Sequence, residues 1–185
     1  EEEFPIANDL SLNIMEWTLD QHNLYDCPLM SNKGRQHIKY LMDKYSVSIP
    51  SLTGDCFMQE PFYKTSDQQR EDLLISDLNN ILNNSHDLGV QFIVIPLVDN
   101  GSIQNKDQKE RLITGLSKVE KTLLNNNQKI VFESDYSPTV LKEFIQNFSP
   151  DYYGINYDIG NSAALGFDSQ DEIKNYGERI LNVHI

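Results

Sequence analysis

The chain is poor in cysteine and in long apolar segments, and each shortage excludes a class of protein. Cys27 and Cys56 are the only two cysteines in 185 residues, too few for a disulfide framework, and we expect both to be reduced. No apolar segment approaches the ~20 residues that a membrane-spanning helix needs. The first residues, EEEFPIANDL, lack the basic-then-apolar order of a signal peptide. We therefore expect a cytoplasmic protein without a membrane partner.

Basic residues are also scarce, with 15 Lys and Arg against 28 Asp and Glu, so the formal net charge is −13. A field of this sign repels polyanions, because nucleic-acid affinity depends on Lys and Arg that neutralise phosphates. Gly-rich phosphate-binding patterns of the form GxGxxG or GxxxxGK[ST] are absent as well, which argues against a dinucleotide or a nucleoside triphosphate. These features favour a small-molecule ligand and exclude nucleic acid as a general partner.

Short β-rich segments alternate with longer segments of helical periodicity along the whole chain. The six candidate strands are NIMEWT, VSIPSLTGD, QFIVIPLVD, KIVFESD, YYGINYD and LNVHI. The spacing of apolar residues predicts helices over residues 1–10, 34–45, 68–87, 107–126, 138–148 and 168–179. Strict alternation with short links predicts βα units around a parallel sheet, in a single domain over residues 1–185.

Three chemically reactive side chains stand at the ends of the last three candidate strands. Glu133, Asp158 and His184 are separated by 25 and 26 residues, about the length of one strand, one helix and two loops. If each unit is a parallel strand with a covering helix, all three side chains emerge at the same carboxyl-terminal edge of the sheet. Two carboxylates and an imidazole predict a site for one divalent ion, Mn²⁺, Mg²⁺, Co²⁺ or Zn²⁺.

Other polar residues are expected at the same edge. Glu16 ends the first candidate strand, Asp55 ends the second, and Asn161 follows Asp158 closely. Strand-end polar groups in such a position either contact substrate or cap a loop. We treat all three as candidate substrate-binding residues.

From about Phe4 to Ile185 the chain resembles the xylose-isomerase-like TIM barrels, in particular the sugar phosphate isomerases and epimerases. The resemblance rests on IMEWT, SIPSLTGDCFMQEPF and FIVIPLVD, and above all on VFESD, NYDIGN and NVHI in that order. It implies a (β/α)8 barrel. Because eight units typically need ~250 residues, we expect a partial barrel of about six units, without the first and last strands.

The resemblance also implies an activity. In such barrels a metal is held by Glu, Asp, His and a further Glu; the first three match Glu133, Asp158 and His184, and the fourth is expected beyond Ile185. The implied function is a metal-dependent isomerase or epimerase of a ketose or ketose phosphate, acting through an enediolate, with Glu133 as the base. Family members often carry a His where this chain has Asn161, which can hydrogen-bond a hydroxyl but serves poorly as an acid or base.

Two alternative functions remain open from the sequence. An endonuclease IV-like hydrolase shares the barrel, but that class needs more His ligands and a basic groove. This chain has one histidine, His184, at the end of a candidate strand, and its net charge is −13. A noncatalytic barrel that binds a small ligand is the other. The expected partner is a sugar or sugar phosphate, and assembly into a homo-oligomer is left open.

Overall fold

Six parallel strands form one sheet in the computed structural model, which describes residues 1–185. The strands follow one another in the sheet in chain order, and every neighbouring pair is parallel. Their bounds are β1 Trp17–Thr18, β2 Ser51–Thr53, β3 Phe92–Leu97, β4 Lys129–Ser134, β5 Tyr153–Asp158 and β6 Ile180–His184. Parallel neighbours that are consecutive in the chain need a crossover between them, which is the βα unit of a barrel. The predicted partial barrel of about six βα units is therefore confirmed.

The crossovers contain the helices. Their bounds are α1 Glu3–Asp9, α2 Asn32–Tyr45, α3 Asp55–Gln59, α4 Gln68–His86, α5 Lys106–Ser117, α6 Glu120–Asn126, α7 Pro138–Ile145, α8 Ile159–Ala164 and α9 Ser169–Tyr176. Short 3₁₀ helices span Gln21–Asp26, Pro28–Met30, Asp99–Gly101 and Gly177–Arg179. None of the helices combines the length and the apolar character needed to cross a membrane.

The helix predicted over 107–126 is two helices, α5 and α6. At the junction the amides of Lys118 and Val119 donate to carbonyls three residues back, those of Gly115 and Leu116, at 3.2 and 3.0 Å. Bonds of this 3₁₀ type tighten the turn and end the α-helix. The short helices α3 and α8 were not predicted, because each spans fewer than two full turns and has too few residues to show a 3.6-residue period.

Residues that commonly begin or end helices take that role at some helix ends of this chain and not at others. Gly89, three residues after the end of α4, takes a φ of +81°, a conformation that suits glycine. Asp168 caps α9 by accepting hydrogen bonds from the amides of Gln170 and Asp171 at 3.0 Å. Ser137 directly precedes α7, a position where a serine often caps a helix, but its side chain makes no capping bond. The ring of Pro138 already fixes the first helical φ and removes one of the amides that a cap would satisfy.

The main hydrophobic core lies between the outer face of the sheet and the helices. It is one cluster of 38 buried residues. In β4, Phe132 faces outward and its ring centroid lies 5.4 Å from that of Phe144 in α7 and 4.9 Å from that of Phe148. Successive side chains of a strand point to opposite faces, so Glu133, the next residue, points into the barrel.

The inner face of the sheet is apolar at the bottom and polar toward the carboxyl-terminal edge. Val94 and Val131 are paired across β3 and β4, are fully buried and lie outside the outer apolar cluster. Above them the buried side chains are Glu133 and Asn156. The barrel interior therefore ends in a polar rim at the end where the strands terminate.

A candidate metal centre at the carboxyl-terminal rim

The three predicted metal ligands meet at this rim. Glu133 is the penultimate residue of β4, and Asp158 and His184 are the last residues of β5 and β6 and are paired in the sheet register. His184 Nδ1 lies 3.4 Å from Glu133 Oε2 and 3.8 Å from Asp158 Oδ2. One ligand atom from each of the three residues lies within 4.8 Å of the other two. The register of β5 and β6 and the alternation within β4 are what bring them together.

The spacing of these atoms suits a single cation. Carboxylate oxygens and imidazole nitrogens bind divalent metals at about 2.0–2.2 Å, so two ligands of one ion lie about 3–4 Å apart. The distances of 3.4 and 3.8 Å from His184 Nδ1 to the two carboxylates fall in this range. Two hard oxygens and one imidazole nitrogen fit Mn²⁺, Mg²⁺, Co²⁺ or Zn²⁺. The thiols offer no alternative ligand set: both cysteines are free, and burial raises the pKa of Cys56 to about 12.

Both carboxylate oxygens of Glu133 are oriented by amide side chains. Oε1 accepts a hydrogen bond from Asn161 Nδ2 at 2.6 Å, and Oε2 accepts one from Asn156 Nδ2 at 2.9 Å. Glu133 is only 8% exposed, so few rotamers are open to it. Each carboxylate oxygen has a further lone pair after these bonds, which leaves Glu133 able to bind a cation or accept a proton.

The two carboxylate oxygens of Asp158 make different contacts. Oδ1 accepts a hydrogen bond from the backbone amide of Asn161 at 2.7 Å and so caps α8, while Oδ2 faces His184. The cap fixes the carboxylate and also positions Asn161, whose side chain reaches Glu133. The cap made by Asp158 thus also holds Asn161 beside Glu133.

His184 forms a second ion pair on the side away from this cluster. Its Nε2 lies 2.6 Å from Glu16 Oε1. Hydrogen bonds to Glu133 and Glu16 raise the pKa of His184 to about 10, although burial opposes the charged form. Burial also opposes the charged form of Glu16 and so raises its pKa. Hydrogen bonds from His184, Ser51 and Thr53 outweigh this effect and lower the pKa of Glu16 to about 2. In the metal-free protein Glu16 and His184 are therefore both charged at neutral pH.

A cavity of about 660 Å³ opens over this cluster. All six predicted site residues line it, including Asp55 at the start of α3. Burial, with a smaller effect of the nearby Asp20 and Glu133 carboxylates, raises the pKa of Asp55. Five carboxylates and no Lys or Arg line the cavity, the carboxylates being those of Glu16, Asp55, Asp99, Glu133 and Asp158.

Two asparagines that the sequence analysis missed connect the site internally. Asn156 bonds Glu133, and its Oδ1 accepts a hydrogen bond from Asn182 Nδ2 at 2.9 Å. Each asparagine stands two residues before a predicted ligand, in the patterns N-x-D and N-x-H. The two-residue period of a strand places such a residue on the same face as the ligand, and this was the signal available in the sequence.

The fold and the rim cluster define a (β/α)-barrel protein with a carboxylate and imidazole site at the carboxyl ends of its strands. The chain belongs to the xylose isomerase-like TIM barrel family, whose family model matches residues 4–185. A sequence search of curated proteins finds no match.

Solved structures share the fold at low sequence identity. A D-psicose 3-epimerase crystallised with D-fructose superposes with a TM-score of 0.80 at 11% identity, over 99% of this chain and 66% of that one. The 3-keto-D-glucoside 4-epimerase YcjR from E. coli gives 0.75 at 12% identity, over 100% and 72%. An IolI protein with a bound zinc atom gives 0.75 at 14%, over 100% and 66%. The chain thus spans about two thirds of the length of these proteins.

Proposed function

We propose that the protein is a metal-dependent isomerase or epimerase that acts on a ketose or ketose phosphate. The observation that carries this proposal is the convergence of Glu133, Asp158 and His184 within one cavity, at distances that suit a single divalent ion. Support comes from the fold neighbours, which include epimerases of D-psicose and L-ribulose and a protein that binds zinc.

The chemistry needs a group that removes a proton from a carbon next to a carbonyl. The bound ion would supply Lewis-acid stabilisation of the negative charge that develops on the enediolate oxygens. Glu133 is our candidate base, because it is a buried carboxylate at the cavity floor with both oxygens held by amides. A base must lie within hydrogen-bond reach of the proton that it takes, and the substrate above Glu133 would present that proton.

Substrate orientation would fall to polar groups around the cavity. Asn161 and Asp55 line its wall and carry hydrogen-bonding side chains. The pKa of Asp55 is raised, mainly by burial, and its carboxylate oxygens can accept a hydrogen bond from a sugar hydroxyl. Delivery of a proton to the opposite face of the same carbon, by a second acid on that side of the sugar, would give an epimerase. Delivery to the adjacent carbon would give an aldose–ketose isomerase.

An endonuclease IV-like activity fits the cavity poorly. DNA binding requires Lys and Arg along the groove, and the cavity is lined by five carboxylates and no basic residue except His184. The three ligands form one cluster with a single histidine, which suits one ion rather than several.

Exchange of solvent hydrogen into a sugar tests the proposal. The protein is stripped with EDTA, reloaded separately with Mn²⁺, Mg²⁺, Co²⁺ or Zn²⁺, and incubated in D₂O with a panel of ketoses and ketose phosphates, while NMR follows deuterium at each carbon. We expect deuterium beside the carbonyl of at least one sugar, and only with metal present. Exchange that is equally fast in the stripped protein would contradict the metal dependence. Tight metal binding without exchange into any sugar would favour the noncatalytic alternative.

A further inference from the structure

The side chain of Glu16 is enclosed by hydrogen-bond donors. Oε1 faces His184 Nε2 at 2.6 Å and accepts from Thr53, while Oε2 accepts from Ser51 and from Asn182 Nδ2 at 3.2 Å. Four donors on two oxygens occupy the lone pairs of a carboxylate. Although Glu16 lines the cavity, little of its bonding capacity remains for a ligand.

The four partners come from strands on both sides of the open sheet. Ser51 and Thr53 belong to β2, the neighbour of β1, whereas Asn182 and His184 belong to β6 at the other edge. β1 and β6 are not paired with each other. Glu16 therefore links the two edges across the barrel interior. The hydroxyl groups of Ser51 and Thr53 orient its carboxylate toward His184.

We infer that Glu16 is a positioning residue for the metal centre, which holds His184 by its Nε2–H so that Nδ1 points at Glu133 and Asp158. This inference rests on the metal site of the proposed function. An imidazole that binds a metal through Nδ1 carries its only N–H on Nε2, and a carboxylate that accepts this N–H fixes the ring and makes Nδ1 a better ligand. The observed contacts match: Nε2 faces Glu16, and Nδ1 faces the two carboxylates of the cluster and the amide Nδ2 of Asn156 at 3.0 Å, toward which it can act as an acceptor.

The matched test compares Glu16→Gln with Asp77→Asn in the full chain. The first change keeps the size of the side chain and removes its charge. Asp77 is a buried carboxylate that, like Glu16, accepts a hydrogen bond from a hydroxyl, that of Tyr25 at 2.7 Å, but it lies in α4 and does not line the cavity. Zinc affinity is measured by competition with a chelator. Loss of such an outer carboxylate typically weakens metal affinity by about 10–100-fold, and we expect this for Glu16→Gln, with Asp77→Asn within about twofold of wild type.

A spectroscopic measurement separates positioning from a general structural effect, and its first part uses the wild-type protein alone. In protein with ¹⁵N-labelled histidine and bound Zn²⁺, we expect His184 to show a protonated Nε2 whose proton is shifted downfield and exchanges slowly. Glu16→Gln should move that signal upfield or broaden it by exchange, while Asp77→Asn leaves it in place.

The outcomes distinguish this inference from the proposed function. Zinc affinity unchanged in a folded Glu16→Gln protein, or zinc bound with the His184 proton on Nδ1, would overturn the role of Glu16 and leave the metal site standing. Failure of the wild-type protein to bind any of the four ions would overturn both. If Glu16→Gln does not fold, the wild-type spectrum decides.

Discussion

Replacement of Glu133 by glutamine tests the candidate base most directly. The substitution keeps the size and planarity of the side chain but removes its charge and its ability to take a proton. Loss of a general base typically lowers a rate by about 10²–10⁴-fold, so hydrogen exchange into the sugar at saturating metal should fall by at least about two orders of magnitude. Metal affinity should fall too, because Glu133 is one of the three ligands.

The structure sets the size of the accompanying loss of stability. Both oxygens of Glu133 accept amide hydrogens, at 2.6 and 2.9 Å, whereas glutamine offers only one oxygen. One asparagine must then face an NH₂ group or turn its own amide around. A buried donor that loses its partner costs about 1–3 kcal/mol, which is too little to abolish a typical fold of 5–15 kcal/mol. We therefore expect a folded protein with weaker metal binding and almost no exchange.

The assay measures exchange across a metal titration, with urea unfolding as the check on the fold. The titration distinguishes a weaker site, which excess metal restores, from a missing base, which it does not. Asn161→Ala is the companion variant, since it removes the hydrogen bond to Glu133 Oε1 but keeps the carboxylate. Native exchange rates in Glu133→Gln at high metal would refute the assignment of the base.

Further predictions concern the surroundings of this residue. Asn161→Ala should slow exchange by about tenfold, the loss expected for one hydrogen bond to a charged group; an unchanged rate would remove Asn161 from the site. A free ketose should react faster than its phosphate ester in a side-by-side assay, because five carboxylates and no Lys or Arg line the cavity; preference for the phosphate would contradict this reading. In EDTA, the stabilisation that His184 provides should be complete below about pH 6.5 and lost as the pH rises toward 10. The reason is that the pKa of His184 is raised from 6.5 to about 10 in the folded protein. The difference in unfolding free energy between wild type and His184→Gln should thus shrink by at least about 1 kcal/mol over that range, and a constant difference would refute the ion pair. Phe132→Ala should cost about 3–5 kcal/mol in urea unfolding, since the ring is fully buried against Phe144 and Phe148; a loss below about 1 kcal/mol would be inconsistent with that packing.

Repeating patterns made most of the fold predictable. Strand and helix periods alternate six times, and in a parallel arrangement strand-end residues share one edge. Glu133, Asp158 and His184 could be assigned to one site on this ground alone, from their spacing of 25 and 26 residues. The break between α5 and α6 was not predictable, because the apolar stripe of Leu112, Leu116, Val119 and Leu123 continues across it.

The sequence by itself determined that Glu133, Asp158 and His184 stand at or next to the ends of strands, because this follows from short-range periodicity. It was wrong for Glu16, which precedes β1, and for Asp55, which begins α3 after β2 has ended. The partnership of Glu16 with His184 is of another kind. Glu16 directly precedes the edge strand β1 and His184 ends the edge strand β6, with four strands between these two, and a flat sheet would hold the two residues far apart. Neighbouring strands lie about 4.8 Å apart, so only the curvature of the twisted sheet brings the two side chains to 2.6 Å. Curvature depends on the packing of all the units at once, and for that reason the tertiary structure alone decided that Glu16 meets the imidazole of His184.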